Sequence, residues 1–333
     1  MTDHKIEVSF VIPTLNEEKY LPQCLGAIRQ QDMHSVKYEI IVVDNGSTDK
    51  SLQIAKDYGA RIFSAPGKTV AALRNVGARN AKGEYVAYVD ADCVIDRHWL
   101  ENAIRVFSDA RVAAAGAPTT IGENGGLVER CWFLQRQRGR GIESVKWLPT
   151  ENLIIRKSVL DEVGGFNEAL ISCEDADLGY KISRSYKILS DPAIRSLHLG
   201  EARTLGQFYR KEKWRGQGNL RGLFSHGIIL DELPSLLFPL YYLITFLLFP
   251  LEAAYSLVTK DMQPLTAGLL MTFAPIALLS LRTTLRTRNW KAFLPLCLLY
   301  LVYAMARTDA ILPRKTVTGH DRPEQSPQES KRH

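Results

Sequence analysis

The N-terminal two-thirds of the chain alternates short apolar runs with amphipathic stretches. Val8–Ile12, Glu39–Val43, Ala60–Phe63 and Glu84–Val89 are runs rich in β-branched and aromatic residues, and each reads as a buried strand. Pro13 marks the end of the first run. Between them, Leu21, Leu25 and Ile28 recur at helical spacing, 69–80 looks helical, and a helix is expected over 97–109. Asn16 is a plausible cap for the first helix and Ser47 or Thr48 for the second. Strand and helix alternating at this spacing predict an α/β domain with a mostly parallel sheet covered on both faces.

Acidic residues follow two of these strands. Asp44 ends the second run, and Asp90-Ala91-Asp92 follows the fourth. Open α/β sheets bind ligands beyond the carboxyl ends of their strands. Paired carboxylates there suit a hard cation carrying phosphates; their alternative is a solvated turn that caps the next helix. Pro66-Gly67-Lys68-Thr69 resembles the end of a phosphate-binding loop, but Ile62 stands where that loop needs glycine, which excludes an ATPase of that type.

The ordered set Val11-Ile12-Pro13-Thr14-Leu15-Asn16-Glu17, Val42-Val43-Asp44-Asn45-Gly46-Ser47-Thr48-Asp49, Arg74-Asn75-Val76-Gly77, Asp90-Ala91-Asp92, Gly164-Gly165-Phe166, Glu174-Asp175-Ala176-Asp177-Leu178 and His198-Leu199-Gly200 resembles family 2 glycosyltransferases across residues 8–200. The resemblance implies a GT-A fold, a nucleotide-sugar donor, Mg²⁺ or Mn²⁺, and inversion at the anomeric carbon, as in hexosyltransferases of polysaccharide or glycolipid biosynthesis. It implies donor binding by Pro13, Thr14, Glu17, Asp44, Arg74 and Asp90. Asp92 is the expected metal ligand, with Asp90 and His198 as further candidates. Asp175 matches the position of the general base, with Glu174 beside it. A carboxylate that abstracts a proton needs its pKa raised by apolar surroundings or by neighbouring acids. Arg74 reads equally as an exposed helix arginine, and 174–177 as an acidic helix N-terminus.

Relatives that build polymers carry Gln-x-x-Arg-Trp after the base, whereas this chain has Lys213-Trp214-Arg215-Gly216-Gln217. That departure favours transfer of a single sugar and leaves Trp214, Arg215 and Gln217 as acceptor-side candidates. Two other functions compete: a nucleotidyltransferase on a similar sheet, and an inactive sugar-nucleotide-binding domain serving as a membrane scaffold.

The last third changes character. Ser235–Leu251, Pro264–Leu281 and Ala292–Ala306 are apolar and carry no charge. The first two are long enough to span a bilayer; the third is short, and reads as a tilted span, a re-entrant piece or an interfacial one. The domains expected are a GT-A catalytic domain over 1–225 ending in a basic juxtamembrane segment (203–225), a membrane module over 234–312 with two to three apolar helices, and a disordered polar tail over 313–333. Met1–Lys5 is polar and begins no signal peptide. Arg282, Arg286, Arg288 and Lys291 lie between the second and third apolar segments, which with the positive-inside rule puts that link and the catalytic domain in the cytoplasm of a multi-pass plasma-membrane protein.

Composition adds little more. Lys and Arg number 42 against 36 Asp and Glu, for a net charge of +6. With basic clusters beside apolar segments, this points to membrane lipids before nucleic acid, and no nucleic-acid motif is present. The partners expected are thus a nucleotide-sugar donor, a lipid-linked or saccharide acceptor, and lipid. Five scattered cysteines fit a reducing compartment. Cys93 and Cys173 flank site candidates, so inhibition by thiol reagents is expected.

Overall fold

A computed structural model describes residues 6–32, 36–122, 124–136, 141–217 and 233–312. The expected tail and the part of the basic segment beyond 217 lie outside these residues. The described chain forms two compact units, 6–122 with 141–201, and 124–136 with 202–312.

The first unit is built on an eight-stranded sheet. In chain order its elements are β1 (Val8–Thr14), α1 (Leu21–Arg29), β2 (Tyr38–Asp44), α2 (Ser51–Asp57), β3 (Arg61–Ser64), α3 (Val70–Asn80), β4 (Tyr85–Val89), β5 (Cys93–Ile95), α4 (Trp99–Arg105) and β6 (Val112–Gly116). After α5 (Leu127–Arg136), which belongs to the second unit, come β7 (Glu143–Val145), β8 (Asn152–Arg156), α6 (Lys157–Glu162), α7 (Glu174–Ser183), β9 (Lys187–Ser190) and β10 (Ser196–His198). The sheet order is β3-β2-β1-β4-β8-β6-β9-β7, and β5 pairs separately with β10. From β3 to β4 the strands are parallel; β8 runs antiparallel to β4 and β6.

Alternation along the strands makes two cores. Phe10, Ile12, Val42 and Ala87 face α1 and Trp99 of α4, while Val11, Ile41, Val43 and Tyr88 face α3 and α7. Both faces are buried, which is why these strands read as continuous apolar runs. Pro13 does not end β1, which continues to Thr14; pairing with β4 stops at Val11, so the proline sits where β1 is bonded on one side only.

The caps expected at Asn16, Ser47 and Thr48 are not formed. α1 starts at Leu21 and α2 at Ser51. Asn16 instead takes φ 55°, accepts a hydrogen bond from the Thr48 N–H (2.8 Å) and donates its own N–H to Ser47 Oγ (3.0 Å). These side chains tie the loop after β1 to the loop after β2. Thr69 does cap α3, accepting from the Ala72 N–H. The helix expected over 97–109 is shorter, with α4 followed by a 3₁₀ turn at Val106–Ser108.

The second unit contains α5, α8 (Leu205–Gly216), α9 (Leu233–Thr259), α10 (Gln263–Thr287) and α11 (Phe293–Ile311). Three helices, Leu233–Thr259, Gln263–Thr287 and Trp290–Ile311, are long and apolar enough to cross a membrane. α5 and α8 bring Trp132 and Phe208 into one core with Tyr242, Leu296 and Tyr300. The boundary drawn from composition at 225 thus differs from the packing. Both amphipathic helices join the apolar ones, because their buried aromatics find partners there.

Candidate active site

β1 lies between β2 and β4, so the ends of all three strands meet at one edge. Thr14, Asp44 and Asp90 therefore stand at that edge. Asp44 is buried, and its carboxylate accepts hydrogen bonds from the Gly46 N–H (2.9 Å) and the Ser47 N–H (3.1 Å), shaping its own loop. Pro13 and Thr14 close β1, and the Glu17 N–H donates to Ser51 Oγ (2.8 Å).

Arg74 is not an exposed helix residue. It is buried, donating from Nη2 to Asp90 Oδ1 (2.9 Å) and from Nη1 to Glu174 Oε1 (2.6 Å). Both terminal nitrogens are thus engaged by carboxylates. Burial disfavours its charge, but Asp90 and Glu174 more than offset that and raise its pKa further. α3 can press this arginine onto the sheet because Gly77 meets Val11: a Cβ there would lie 2.2 Å from Val11 Cγ1. The next residue, Asn75, holds Phe166 by both of its backbone groups, accepting from N–H and donating to C=O at 2.9 Å each. The Arg74-Asn75-Val76-Gly77 and Gly164-Gly165-Phe166 pieces are therefore one contact.

α7 begins at Glu174, directly after Cys173, which takes the left-handed φ of 66°. This turn sets Glu174 inward, against Arg74, and leaves Asp175 partly exposed. The Asp175 carboxyl is pushed up to about 7, first by burial and then by the negative charge of Glu174; the Ala176 N–H and Arg74 act the other way. Asp177 is buried and pairs with Lys181 at 2.8 Å, so it braces the helix.

The second group of acids surrounds His198. Antiparallel pairing of β10 with β5 sets His198 opposite Cys93, and the Leu199 N–H donates to the Asp92 carbonyl (2.8 Å). His198 Nε2 stands 3.5 Å from Asp92 Oδ2 and 3.9 Å from Glu151 Oε2, and the buried Nδ1 has no hydrogen-bond partner. Asp92, Cys93 and His198 offer ligand atoms within 4.8 Å of one another. Burial, then Asp92, pushes the Cys93 thiol well above its usual range, and a protonated thiol does not ligate a hard cation. Two carboxylates with the imidazole Nε2 beside them do fit Mg²⁺ or Mn²⁺; Nδ1 faces the other way, 3.9 Å from Glu201 Oε1.

Glu151 is the residue that sequence reasoning missed. It lies just before β8, in no acidic motif. Its Oε1 accepts from Thr119 Oγ1 (2.6 Å), which turns Oε2 toward His198. The following Asn152 is fully buried; it accepts from Trp99 Nε1 (2.6 Å) and donates to the carbonyls of Ala117 (2.9 Å) and Ile194 (2.8 Å). These bonds anchor the segment that presents Glu151, and nothing local in the sequence signals them.

With strand-end acids, a buried bridging arginine and a carboxylate of raised pKa, the arrangement is that of a group-transfer site. Glycosyl transferase family 2 matches residues 9–167. This domain belongs to that family. Glycosyltransferase AglE of Haloferax volcanii is 28% identical over 230 residues, covering 64% of this chain and 73% of that protein. The dolichyl N-acetyl-alpha-D-glucosaminyl phosphate 3-beta-D-2,3-diacetamido-2,3-dideoxy-beta-D-glucuronosyltransferase of Methanococcus voltae is 31% identical over 107 residues, 30% of this chain and 33% of that protein. The mannosyltransferase PcManGT of Pyrobaculum calidifontis, solved in complex with GDP-Man and Mn²⁺, shares the fold with a TM-score of 0.58 over 92% of this chain and 88% of its own, at 19% identity. Residues 9–167 are thus a glycosyl transferase family 2 domain with a GT-A-type fold, in a chain that continues into apolar C-terminal helices.

The remaining candidates belong to the second unit. Trp214, Arg215 and Gln217 lie on α8 and at its end, and Arg215 pairs with Glu212 of its own helix at 2.7 Å. The expectation that thiol reagents reach Cys93 is corrected: that side chain is fully buried, whereas Cys173 is partly exposed.

Proposed function

We propose that the protein is a membrane-anchored inverting glycosyltransferase that moves one sugar from a nucleotide-sugar donor to a lipid-linked or other membrane-proximal acceptor, with Mg²⁺ or Mn²⁺. The observation that carries this reading is Asp175. A carboxyl held near 7, partly exposed and fixed beside the Arg74–Glu174 pair, is suited to take the proton of an acceptor hydroxyl. Glu174 raises its basicity and Arg74 holds Glu174 in place. Pro13, Thr14, Glu17 and Asp44 would bind the nucleoside, and Asp90 would orient the donor. Asp92, His198 and Glu151 would hold the ion. When bound, it supplies Lewis-acid stabilisation of the departing nucleoside diphosphate. Trp214, Arg215 and Gln217 are the acceptor-side residues of this reading.

Support for a lipid-linked acceptor comes from the dolichyl-linked substrate in the name of the Methanococcus voltae relative and from the apolar helices. Arg282 and Arg286 in the last turns of α10, with Arg288 and Lys291 just beyond it, support a cytoplasmic catalytic domain in a multi-pass membrane protein.

The test is release of nucleoside diphosphate by the detergent-purified protein from a panel of nucleotide sugars with Mg²⁺ or Mn²⁺. Asp175→Asn is expected to slow turnover by roughly 10²–10⁴-fold with donor binding retained. Undiminished turnover in that variant would overturn the base assignment, and pyrophosphate release from a nucleoside triphosphate would overturn sugar transfer.

A further inference from the structure

α9 and α10 form an antiparallel hairpin. Tyr242 Oη donates to the Thr272 carbonyl (3.1 Å) and the Leu265 N–H to Ser256 Oγ (3.0 Å), with the turn at 260–262. Its open end carries the start of α9 and the end of α10. α11, like its neighbours, belongs to a helix long and apolar enough to cross a membrane, yet its contacts gather at that open end. Tyr300 Oη meets Thr283 Oγ1 (3.3 Å), the Tyr303 ring packs on Phe238 (5.5 Å), and Thr308 Oγ1 donates to the Pro239 carbonyl (3.4 Å).

The same stretch of α11 is lined by α5 and α8. Trp132 stacks edge-on against Tyr300 (5.6 Å) and against Phe208 (4.7 Å). Farther along, Arg307 donates to Glu212 (2.9 Å), Asp309 accepts from Tyr209 Oη (2.6 Å) and from Lys213, and Gly216 leaves room for Ala310. α8 itself is basic. Arg210 on α8 and Arg203 just before it are exposed, and Lys211, Lys213 and Arg215 are partly so. A helix with that many cations does not sit in hydrocarbon.

Tyr300 to Ala310 covers about 15 Å at 1.5 Å per residue, all of it beside α8 or α5. Only Phe293–Leu299, about 10 Å of helix, is left to enter a hydrocarbon core roughly 30 Å thick. Resting on the membrane reading above, we propose that α11 does not cross the bilayer. It lies along the membrane surface, and with α5 and α8 it forms a platform that seats on anionic lipid headgroups. Its outward row of Leu294, Leu298 and Met305 dips into the acyl boundary, and the cations of α8 meet lipid phosphates. Only α9 and α10 cross. Arg286 strengthens the platform from below by donating to the Leu134 (2.8 Å) and Gln135 (2.9 Å) carbonyls at the end of α5.

The proposal fixes a parity. Two crossings put both termini of the full-length chain on one side of the membrane; three put them on opposite sides. Paired fluorescent-protein and alkaline-phosphatase fusions at each terminus read this directly, and both termini are expected to report the same side. Opposite sides would overturn the proposal. Extraction of the intact chain by alkaline carbonate would instead overturn the membrane-spanning reading beneath it. Both termini on the outer side would keep the platform and overturn only the cytoplasmic orientation.

Discussion

Each unit holds a buried ion-pair cluster, and the two are balanced in opposite directions. Around Arg74, three acids share one cation: Asp90 and Glu174 pair with it, and Asp175 is left with little compensation. Around Glu212 the ratio is reversed, with Arg215 and Arg307 hydrogen-bonded to it and Arg136 near. Burial acts on both acids in the same sense, toward the neutral form. The arginines overcome it at Glu212 and hold that carboxyl below its usual range, whereas at Asp175 the nearest charge is another acid and the pKa rises to about 7. The count of neighbouring charges, more than burial, separates a clamp from a base.

The comparison breaks most visibly at the clamp. Glu212→Ala would leave Arg215 and Arg307 without their shared partner between α8 and α11. Removing one member of a buried pair costs about 3–5 kcal/mol. A marked fall in the melting temperature of the detergent-solubilised protein is expected. An unchanged melting temperature would mean that Glu212 holds nothing together.

Next in size is Glu151. If it helps Asp92 and His198 hold the ion, Glu151→Gln should weaken Mn²⁺ binding by roughly 10–100-fold, the range found for residues that support metal ligands. The free-Mn²⁺ paramagnetic resonance signal reads this without any assay of turnover. Asp92→Asn gives the scale. Binding lost in that variant but retained in Glu151→Gln would confine Glu151 to positioning Thr119 and the β8 segment.

The two clusters also differ in how far the sequence disclosed them. The fold and the acids of the first unit were legible because apolar alternation and strand-end acids are local signals. Asp44, Asp90, Asp92, Glu174 and Asp175 all announce themselves within a few residues. What was not legible depends on distant partners. Arg74 read as a donor-binding residue or an exposed helix arginine, because the acids that engage it lie 16 and 100 positions away. Glu151 had no motif, and its role comes from Thr119 and His198. The clamp was invisible for the same reason: Glu212 reads as a lone acid in a basic helix, and Arg307 is 95 residues further on. Apolar length alone left α11 open between a tilted span, a re-entrant piece and an interfacial one, because hydropathy does not record which helix lies alongside.

A smaller effect tests the base directly. As a carboxylate whose pKa is raised to about 7, Asp175 accepts a proton only when ionised, so the rate should rise with pH through about 7 and level off above it. Glu174→Gln removes the nearest negative charge and frees Arg74 from one partner. Both changes favour the ionised form of Asp175, so the rising limb should move to lower pH. A limb that stays in place would show that Glu174 does not set the basicity of the site.

The smallest expected effect concerns the turn that presents Asp175. Cys173 holds φ 66°, a left-handed conformation that side chains other than glycine adopt at a cost of order 1 kcal/mol or more. It persists because the turn must deliver Glu174 to Arg74 while leaving Asp175 outward. Cys173→Gly removes the Cβ from that conformation, though glycine also gains freedom in the unfolded chain. The net change in stability should stay within about 1 kcal/mol, in the stabilising direction where strain outweighs chain entropy. The sharper readout is chemical. Cys173 is the partly exposed thiol next to the base, and Cys93 is fully buried, so an alkylating reagent that slows the wild type should leave Cys173→Gly at full rate. Equal inactivation of both would move the sensitive thiol away from the base.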